Sequence, residues 1–309
     1  MKRIRRKLYN TFAVVILAVG GIAANAAPGG LFVSVNGTGG NGGGFIYRYA
    51  PNGMQSTFAS GLSRPRGLAF DSVGNLFVAT NFTNNPLNNS TCTILKITPD
   101  GTQNVFAILG GHYGQGVAID RSDNVFVMTF NGNLVGRARA KIYKFTPQGT
   151  QVLFGLLDLN QSFGLAFNSG GNLFAADTVA KTIFEFAADG TRSMFVGPSA
   201  FPRTDADGPV GLAFDQFGNL FVSTEIFPFT NDTILKFTPS GVESTFAIGL
   251  HFPRGLVFDS MGNLFVAENP GDSTGDILKI TSDGARTVFA SGIGIPQGNG
   301  GPEYLAIVP

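Results

Sequence analysis

Six residues occupy the same position of a repeated motif, and three of them are charged. Each stands immediately before a short apolar segment, and consecutive members are 44 to 49 residues apart. A guanidinium can bind a carboxylate or phosphate through two hydrogen bonds, and a carboxylate can ligate a hard divalent cation. The set therefore offers anion binding or metal binding if the fold brings its members together. Its members are Arg66, Gln115, Phe163, Val210, Arg254 and Glu303.

A second set stands three residues before the first. It contains both histidines of the chain, and a histidine is suited to proton transfer or metal ligation near neutral pH. Two polar loop histidines with no shared role are the simpler interpretation. The members of this set are Ser63, His112, Asn160, Asp207, His251 and Gly300.

The elements that must position both sets repeat along the chain. The motif Gly67–Asp71, followed by Gly74–Val78, recurs at Gly116, Gly164, Gly211 and Gly255. Each unit has the pattern of four short strands, A to D, joined by tight turns, with no helical segment. In the second unit these strands are predicted at 67–71, 75–80, 93–98 and 102–107. A period near 45 residues built only of strands is typical of a propeller blade.

The number of blades follows from counting turns. A Pro-Asp-Gly type of turn between strands C and D occurs six times, for example at Pro99–Gly101, whereas only five units have a strand A of their own. The first unit begins at strand B, Leu31–Val35, and the apolar pattern of strand A reappears at Tyr304–Val308. We therefore expect an all-β, six-bladed propeller of four-stranded antiparallel blades, closed by the C-terminal strand and formed by residues 27–309 as one domain.

The antiparallel blades sort the loops between two faces. The A–B and C–D turns share one face and are short, whereas the B–C and D–A loops share the other and vary in length. Binding concentrates in variable loops on a rigid scaffold. Both residue sets are predicted to surround the channel mouth on this variable face. The loops concerned are predicted at Asn81–Thr93, Phe130–Lys141, Val196–Val210 and Glu225–Thr233.

Two long motifs carry a family resemblance. Residues 65–79 (PRGLAFDSVGNLFVA) and 253–267 (PRGLVFDSMGNLFVA) are similar to NHL repeats, and the chain resembles the gluconolactonase/regucalcin type of six-bladed propeller over residues 31–308. The resemblance implies the fold. It leaves the activity open, because these motifs are structural strands and turns, and such propellers include lactonases, lyases and binding modules.

The resemblance also implies where a reaction would occur. In gluconolactonase-like enzymes the position before the glycine carries Glu, Asn and Asp ligands of a divalent cation, and only Glu303 fits that pattern here. Streptogramin lyases place a histidine at a ring position and a glutamate at the end of strand B, where this chain has Arg254 and Glu268. A rearranged calcium or magnesium site would draw on Asp207, Glu268, Glu303 and the histidines.

Other apparent motifs are weak. Gly37–Gly42 matches G-x-G-x-x-G but links two strands and opens no helix, so it is predicted to be a flexible loop. Asp205 and Asp207 lack the remaining ligands of a calcium loop. The single cysteine, Cys92, cannot form an internal disulfide, and it is predicted to be an inert residue of the loop 81–93.

The N-terminus has the pattern of a secretory signal peptide, residues 1–26. Five basic residues precede an apolar run from Phe12 to about Ala24, and Ala24-Asn-Ala26 resembles a cleavage site. An uncleaved anchor is the alternative, but the run is short for a bilayer span of about 20 residues. Without this segment, 16 of the 21 basic residues remain against 20 acidic ones, a net charge of −4. This balance argues against nucleic acid as a partner.

Three functional classes follow. The leading hypothesis is a secreted or extracytoplasmic binding module, in the periplasm or outside the cell, that takes a small anionic ligand, a glycan or a protein at the channel mouth. The second is a metal-dependent, lactonase-type hydrolase with a rearranged site, and the third is a structural scaffold. For Arg66 and Arg254, structural ion pairing is the alternative to ligand binding. We expect a monomer with no membrane span after cleavage and no firmly indicated cofactor.

Overall fold

The strands form six four-stranded antiparallel sheets, each of which is one blade. The computed structural model describes residues 29–37, 42–83, 90–131, 140–158, 162–201, 208–225, 232–269, 274–294 and 300–308. The innermost strands of successive blades contact one another around a closed ring. The predicted six-bladed propeller is therefore confirmed. The expected signal peptide lies outside the described residues.

The strands follow one another in chain order, with one exception at the ring closure. Blade 1 contains β1 (Leu31–Val35), β2 (Gly44–Tyr49), β3 (Gln55–Leu62) and, as its innermost strand, β24 (Pro302–Ile307). Blade 2 contains β4 (Leu68–Phe70), β5 (Leu76–Thr83), β6 (Ser90–Ile97) and β7 (Gln103–Gly110). Blade 3 contains β8 (His112–Ile119), β9 (Val125–Asn131), β10 (Lys141–Phe145) and β11 (Gln151–Leu156).

The other three blades follow the same pattern. Blade 4 contains β12 (Ser162–Phe167), β13 (Leu173–Asp177), β14 (Thr182–Phe186) and β15 (Arg192–Val196), followed by a single 3₁₀ turn at Pro198–Ala200. Blade 5 contains β16 (Gly208–Phe214), β17 (Leu220–Glu225), β18 (Asp232–Phe237) and β19 (Glu243–Leu250). Blade 6 contains β20 (Pro253–Phe258), β21 (Leu264–Glu268), β22 (Gly275–Ile280) and β23 (Arg286–Ile293).

The C-terminal strand closes the ring as predicted. Strand β24 pairs antiparallel with β1, with Ile307 opposite Leu31 and Leu305 opposite Val33. Leu305 packs into the apolar cluster between blades 1 and 6. Closure therefore gives strand β1 its second pairing partner and covers the edge that β1 would otherwise leave unpaired.

The turns depend on aspartate and glycine. Between β20 and β21, Oδ1 of Asp259 accepts hydrogen bonds from the backbone N–H groups of Met261 and Asn263, and Oδ2 accepts one from the Asn263 side chain. Gly262 has a φ of 81°, a conformation that residues with a Cβ rarely adopt. This side-chain mimic of a backbone turn fixes the A–B connection locally.

The core of each blade uses the same aromatic contact. The phenylalanine near strand D meets the strand-B phenylalanine edge to face, with centroids 4.8 to 5.0 Å apart. Edge-to-face rings add to the free energy of apolar burial because the positive ring edge meets the negative ring face. The D-strand members are Phe58, Phe106, Phe154, Phe195, Phe246 and Phe289.

The loop predicted at 81–93 is wrong over part of its length. Strand β5 continues to Thr83 and β6 starts at Ser90. Cys92 is therefore a fully buried strand residue, and burial raises the pKa of its thiol to about 12. An apolar environment disfavours the thiolate, so the chemical inertness expected of Cys92 has a different physical cause. Among the described residues, no helix is long and apolar enough to cross a membrane.

Candidate functional site

Close packing of the inner strands creates the site. A Cβ on Gly211 would lie 2.0 Å from the carbonyl oxygen of Arg254, and one on Gly116 would lie 2.4 Å from that of Phe163. Only glycine permits such an approach of neighbouring backbones. The glycine that follows five of the six members of the first set therefore lets the blades pack closely, and the residue before it is carried to the channel mouth.

Glu303 lies at the centre of the resulting cluster. Its Oε2 is 2.7 Å from Nη1 of Arg66 and 3.7 Å from Nη1 of Arg254. Oε1 accepts a hydrogen bond of 3.3 Å from the side-chain amide of Asn269. Glu303 is only 4% exposed, so these partners replace the water that a carboxylate requires.

A second carboxylate completes the cluster. Oε1 of Glu225 lies 3.4 Å from Nη2 of Arg254, and the two side chains are about equally buried. Burial raises the pKa of Glu225 above its usual value, and the Arg254 guanidinium opposes that shift. The cluster of Arg66, Arg254, Glu225 and Glu303 has two formal charges of each sign. We call it the mouth cluster.

Arg254 has aromatic as well as ionic contacts. Its guanidinium carbon lies 5.4 Å from the ring centroid of Phe163 and 4.2 Å from that of Phe252. Its Nε is buried and has no hydrogen-bond partner. The N–H of Phe252, a residue held at a φ of 52°, donates to Oδ2 of Asp232. This contact anchors the backbone beside Arg254 to blade 5.

The predicted first set is only partly assembled in the mouth cluster. Arg66, Arg254 and Glu303 form ion pairs, and the Phe163 ring contacts Arg254. The Gln115 side chain contacts the hydroxyl of Tyr304, directly below the mouth. Val210 is buried and offers no polar side chain.

Sequence reasoning missed Glu225, although the sequence contains a signal for it. Glu225 ends strand B of blade 5, at the repeat position that holds Asn81 in blade 2 and Asn269 in blade 6. All three are polar residues that come five positions after the repeated leucine at the start of strand B (Leu76, Leu220 and Leu264). With Glu225, the mouth cluster contains two carboxylates and two guanidiniums.

The second set does not converge on the mouth cluster in the same way. The Nε2 of His112 lies 3.3 Å from the hydroxyl of Tyr143, a residue of its own blade, while Nδ1 is buried without a partner. Burial, helped by Lys141, lowers the pKa of His112 and favours the neutral ring. The side chain of His251 is exposed, and its backbone N–H donates to Oε1 of Glu268.

Of the remaining members of that set, the two that the structure describes, Ser63 and Gly300, add no cation ligands to the mouth cluster. The Ser63 carbonyl accepts the N–H of Asn81, and Gly300 packs against the backbone of Asn36. Glu268, which the sequence offered as a ligand of a rearranged metal site, is buried, and this burial raises the pKa of its carboxyl group. Asn160 and Asp207 lie outside the described residues. The described part of the chain contains no group of three or more His, Cys, Asp or Glu side chains arranged to hold a metal ion.

Comparison with known proteins supports the architecture. No family model matches the chain, and no curated protein does. A Bacteroides caccae protein of unknown function matches with a TM-score of 0.59 at 13% identity, over 91% of this chain and 99% of that one. A gluconolactonase from Xanthomonas campestris matches with a TM-score of 0.54 at 17% identity, over 76% and 78% of the two chains.

An inactive variant of virginiamycin B lyase from Staphylococcus aureus, solved with quinupristin, matches with a TM-score of 0.51 at 17% identity, over 88% of this chain and 77% of that one. What the chain shares with these proteins is the fold. The similarity to gluconolactonase and lyase propellers in architecture agrees with the resemblance read from the sequence motifs. Because one fold hosts many functions, function has to be argued from the mouth cluster itself.

Proposed function

We propose that this protein is a binding module that takes a small, hydroxyl-rich ligand, of which a glycan is the leading candidate, at the channel mouth. The single observation that carries this proposal is the position of Glu303 between the guanidiniums of Arg66 and Arg254, at 2.7 and 3.7 Å. These side chains come from β20, from β24 and from the segment that leads into β4, which the ring holds in fixed positions. Convergent polar groups on a rigid concave surface are the usual basis of small-molecule recognition.

The charge of the mouth cluster favours a hydroxyl-rich ligand over a small anion. With Glu225 included, the positive charges of Arg66 and Arg254 are already balanced. A carboxylate ligand would have to displace Glu225 or Glu303 from a guanidinium. A hydroxyl group both donates and accepts, so it can bridge a carboxylate and a guanidinium without separating them. The Phe163 and Phe252 rings beside Arg254 add apolar surface for the carbon face of a sugar.

The metal-dependent hydrolase is less well supported by the same contacts. A cation bound at Glu303 would lie beside two guanidiniums, which would repel it. Two like charges about 4 Å apart repel by roughly 4 kcal/mol at an effective dielectric of 20. The carboxylate that best matches a lactonase ligand is thus occupied by positive charge from the protein itself.

A binding experiment tests the proposal. Purified protein is titrated calorimetrically with neutral methyl glycosides and, separately, with acetate, succinate and phosphate. We expect saturable binding of at least one neutral glycoside and a loss of at least tenfold in affinity in Glu303→Gln. Arg192→Ala is the matched control, because it removes an exposed ion pair with Asp158 at the outer edge of a blade. Binding of the anions alone would reject a hydroxyl-rich ligand.

A cation titration addresses the hydrolase alternative. Calcium and magnesium are added to the wild-type protein and to Glu303→Gln, and the melting temperature is recorded. We expect no saturable stabilisation in either protein. A stabilisation of the wild-type protein that disappears in Glu303→Gln would instead establish a cation site at the mouth.

We also propose that the protein is exported after cleavage near Ala27. The support is the basic start, the apolar run and the Ala24-Asn-Ala26 site in the sequence. Mass spectrometry of the protein from cell fractions tests this. We expect the extracytoplasmic protein to begin near Ala27, and a cytosolic protein that retains the N-terminal segment would contradict the proposal.

A further inference from the structure

The closing strand differs from the other inner strands at the repeat position that follows the first set. Five inner strands have glycine there, and the sixth has Tyr304. The same close packing surrounds it, since a Cβ on Gly255 would lie 2.7 Å from the Tyr304 Cα. The repeat therefore places one large side chain in a ring of five residues that have none. The five glycines are Gly67, Gly116, Gly164, Gly211 and Gly255.

The Tyr304 side chain crosses the channel. It starts from blade 1, and its hydroxyl lies 3.4 Å from Oε1 of Gln115 in blade 3 and 3.4 Å from the carbonyl oxygen of Phe163 in blade 4. Blade 4 is directly opposite blade 1 in a six-membered ring. One side chain thus spans the full width between opposing inner strands, just below Glu303.

Little space is left in the channel beside this side chain. The remaining cavity has a volume of about 50 Å³ and is lined by Tyr304 together with leucines and glycines of the inner strands, such as Leu165, Leu212 and Leu256. A single water needs roughly 10 to 15 Å³ of such space, so the cavity has room for only a few waters beside Tyr304.

We propose that Tyr304 is a plug that closes the channel, makes the mouth a cup open at one end only, and so limits ligands to those that bind above it. The limit that the plug sets on ligands rests on the binding function proposed above.

Chemical rescue tests the plug. Tyr304→Ala removes a phenol group and leaves a cavity of its shape, and apolar cavities of this kind bind small aromatic molecules. We expect Tyr304→Ala to melt at a lower temperature and phenol to raise that temperature saturably. Benzene should bind several-fold more weakly, because it has no hydroxyl for Gln115 and Phe163. Tyr304→Phe and the wild-type protein, which retain the ring, should not respond to phenol.

Three results would overturn the inference. These are a folded Tyr304→Ala protein with no saturable response to phenol, a wild-type protein that responds equally, or equal affinities for phenol and benzene. If Tyr304→Ala is unfolded by circular dichroism, Tyr304→Gly takes its place and 4-methylphenol replaces phenol. Glycine is the residue that the other five inner strands carry, so the same three results then decide.

The phenol rescue and the glycoside titration test different proposals, so the failure of one does not imply the failure of the other. Phenol binding needs no glycan, so a successful rescue without any glycoside binding rejects only the proposed function. Glycoside binding that is lost in Glu303→Gln, together with a failed rescue, rejects only the plug.

Discussion

The two faces of the propeller use polar side chains in opposite ways. On the face of the A–B turns, Asp71, Asp120, Asp215 and Asp259 form the same hydrogen bonds in four blades. At the channel mouth no two neighbouring positions are alike, and their side chains pair across blades. Arg66 and Glu303, for example, are 237 residues apart in the chain.

This difference separates architecture from function. An aspartate repeated in four blades satisfies a local backbone requirement that those blades share. A polar residue that pairs with another blade serves no such repeated requirement. The mouth cluster is therefore the place where selection for something other than folding would be visible, and the following experiments test that distinction in order of expected effect.

The largest effect is expected from removing the closing strand. Deleting residues 303–309 takes away the pairing partner of β1 and exposes the cluster around Leu305. Burial of one such side chain contributes about 1.5 to 3 kcal/mol, so the free energy of unfolding should fall by several kcal/mol. Chemical denaturation measures this, with deletion of Pro309 alone as the control. A truncated protein with an unchanged melting temperature would refute the role of β24.

The mouth cluster should give the next largest effect. Arg66→Ala/Arg254→Ala leaves Glu303 buried without a counter-ion, and breaking a buried pair in this way costs about 3 kcal/mol. Urea denaturation measures the loss. Arg192→Ala should cost less than about 1 kcal/mol, as expected for an exposed pair. Adding Glu303→Gln to the double variant should restore part of the loss, and no restoration would show that the arginines stabilise the fold by other contacts.

Substitutions on the face of the A–B turns should lower the free energy of unfolding by a smaller and more uniform amount. Asp215→Ala removes the hydrogen bonds to the N–H groups of Phe217 and Asn219, at a cost of about 1 to 2 kcal/mol. Asp259→Ala should give the same cost in its own blade, because the two turns share one geometry, and Asp71→Ala should cost slightly more, because Asp71 also lies 3.9 Å from Nζ of Lys96. All three variants should retain glycoside binding. If the losses of unfolding free energy differed widely between blades, the turns would not be equivalent.

The pH dependence of stability provides the finest test. Burial raises the pKa of Glu225 above its usual 4.5. At a pH between the usual pKa and the raised pKa, Glu225 keeps a proton in the folded protein that it has already released in the unfolded chain. The contribution of Glu225 to stability therefore declines as the pH rises through that window. Glu225→Gln should therefore lose less stability than the wild-type protein over this window. If the free energy of unfolding changed with pH in the same way in both proteins, the pKa of Glu225 would not be raised by folding.

The sequence by itself determined the fold. Six C–D turns against five strand-A motifs specified the number of blades, and the apolar pattern at 304–308 specified how the ring closes. Such features can be predicted from the sequence because turns and strand alternation depend on residues that are close together in the chain. They also identified Arg66, Arg254 and Glu303 as residues to examine, since the repeat assigns each of them the same position.

The tertiary structure alone decided how those residues are used. It brought Glu225 to Arg254, placed the Tyr304 hydroxyl between Gln115 and Phe163, and buried Cys92 in a strand predicted to be a loop. Each of these outcomes depends on distances between blades, which are set by the close packing of glycines far apart in the chain. A repeat specifies where a side chain starts, but side-chain length, charge and the opposing blade determine what it contacts.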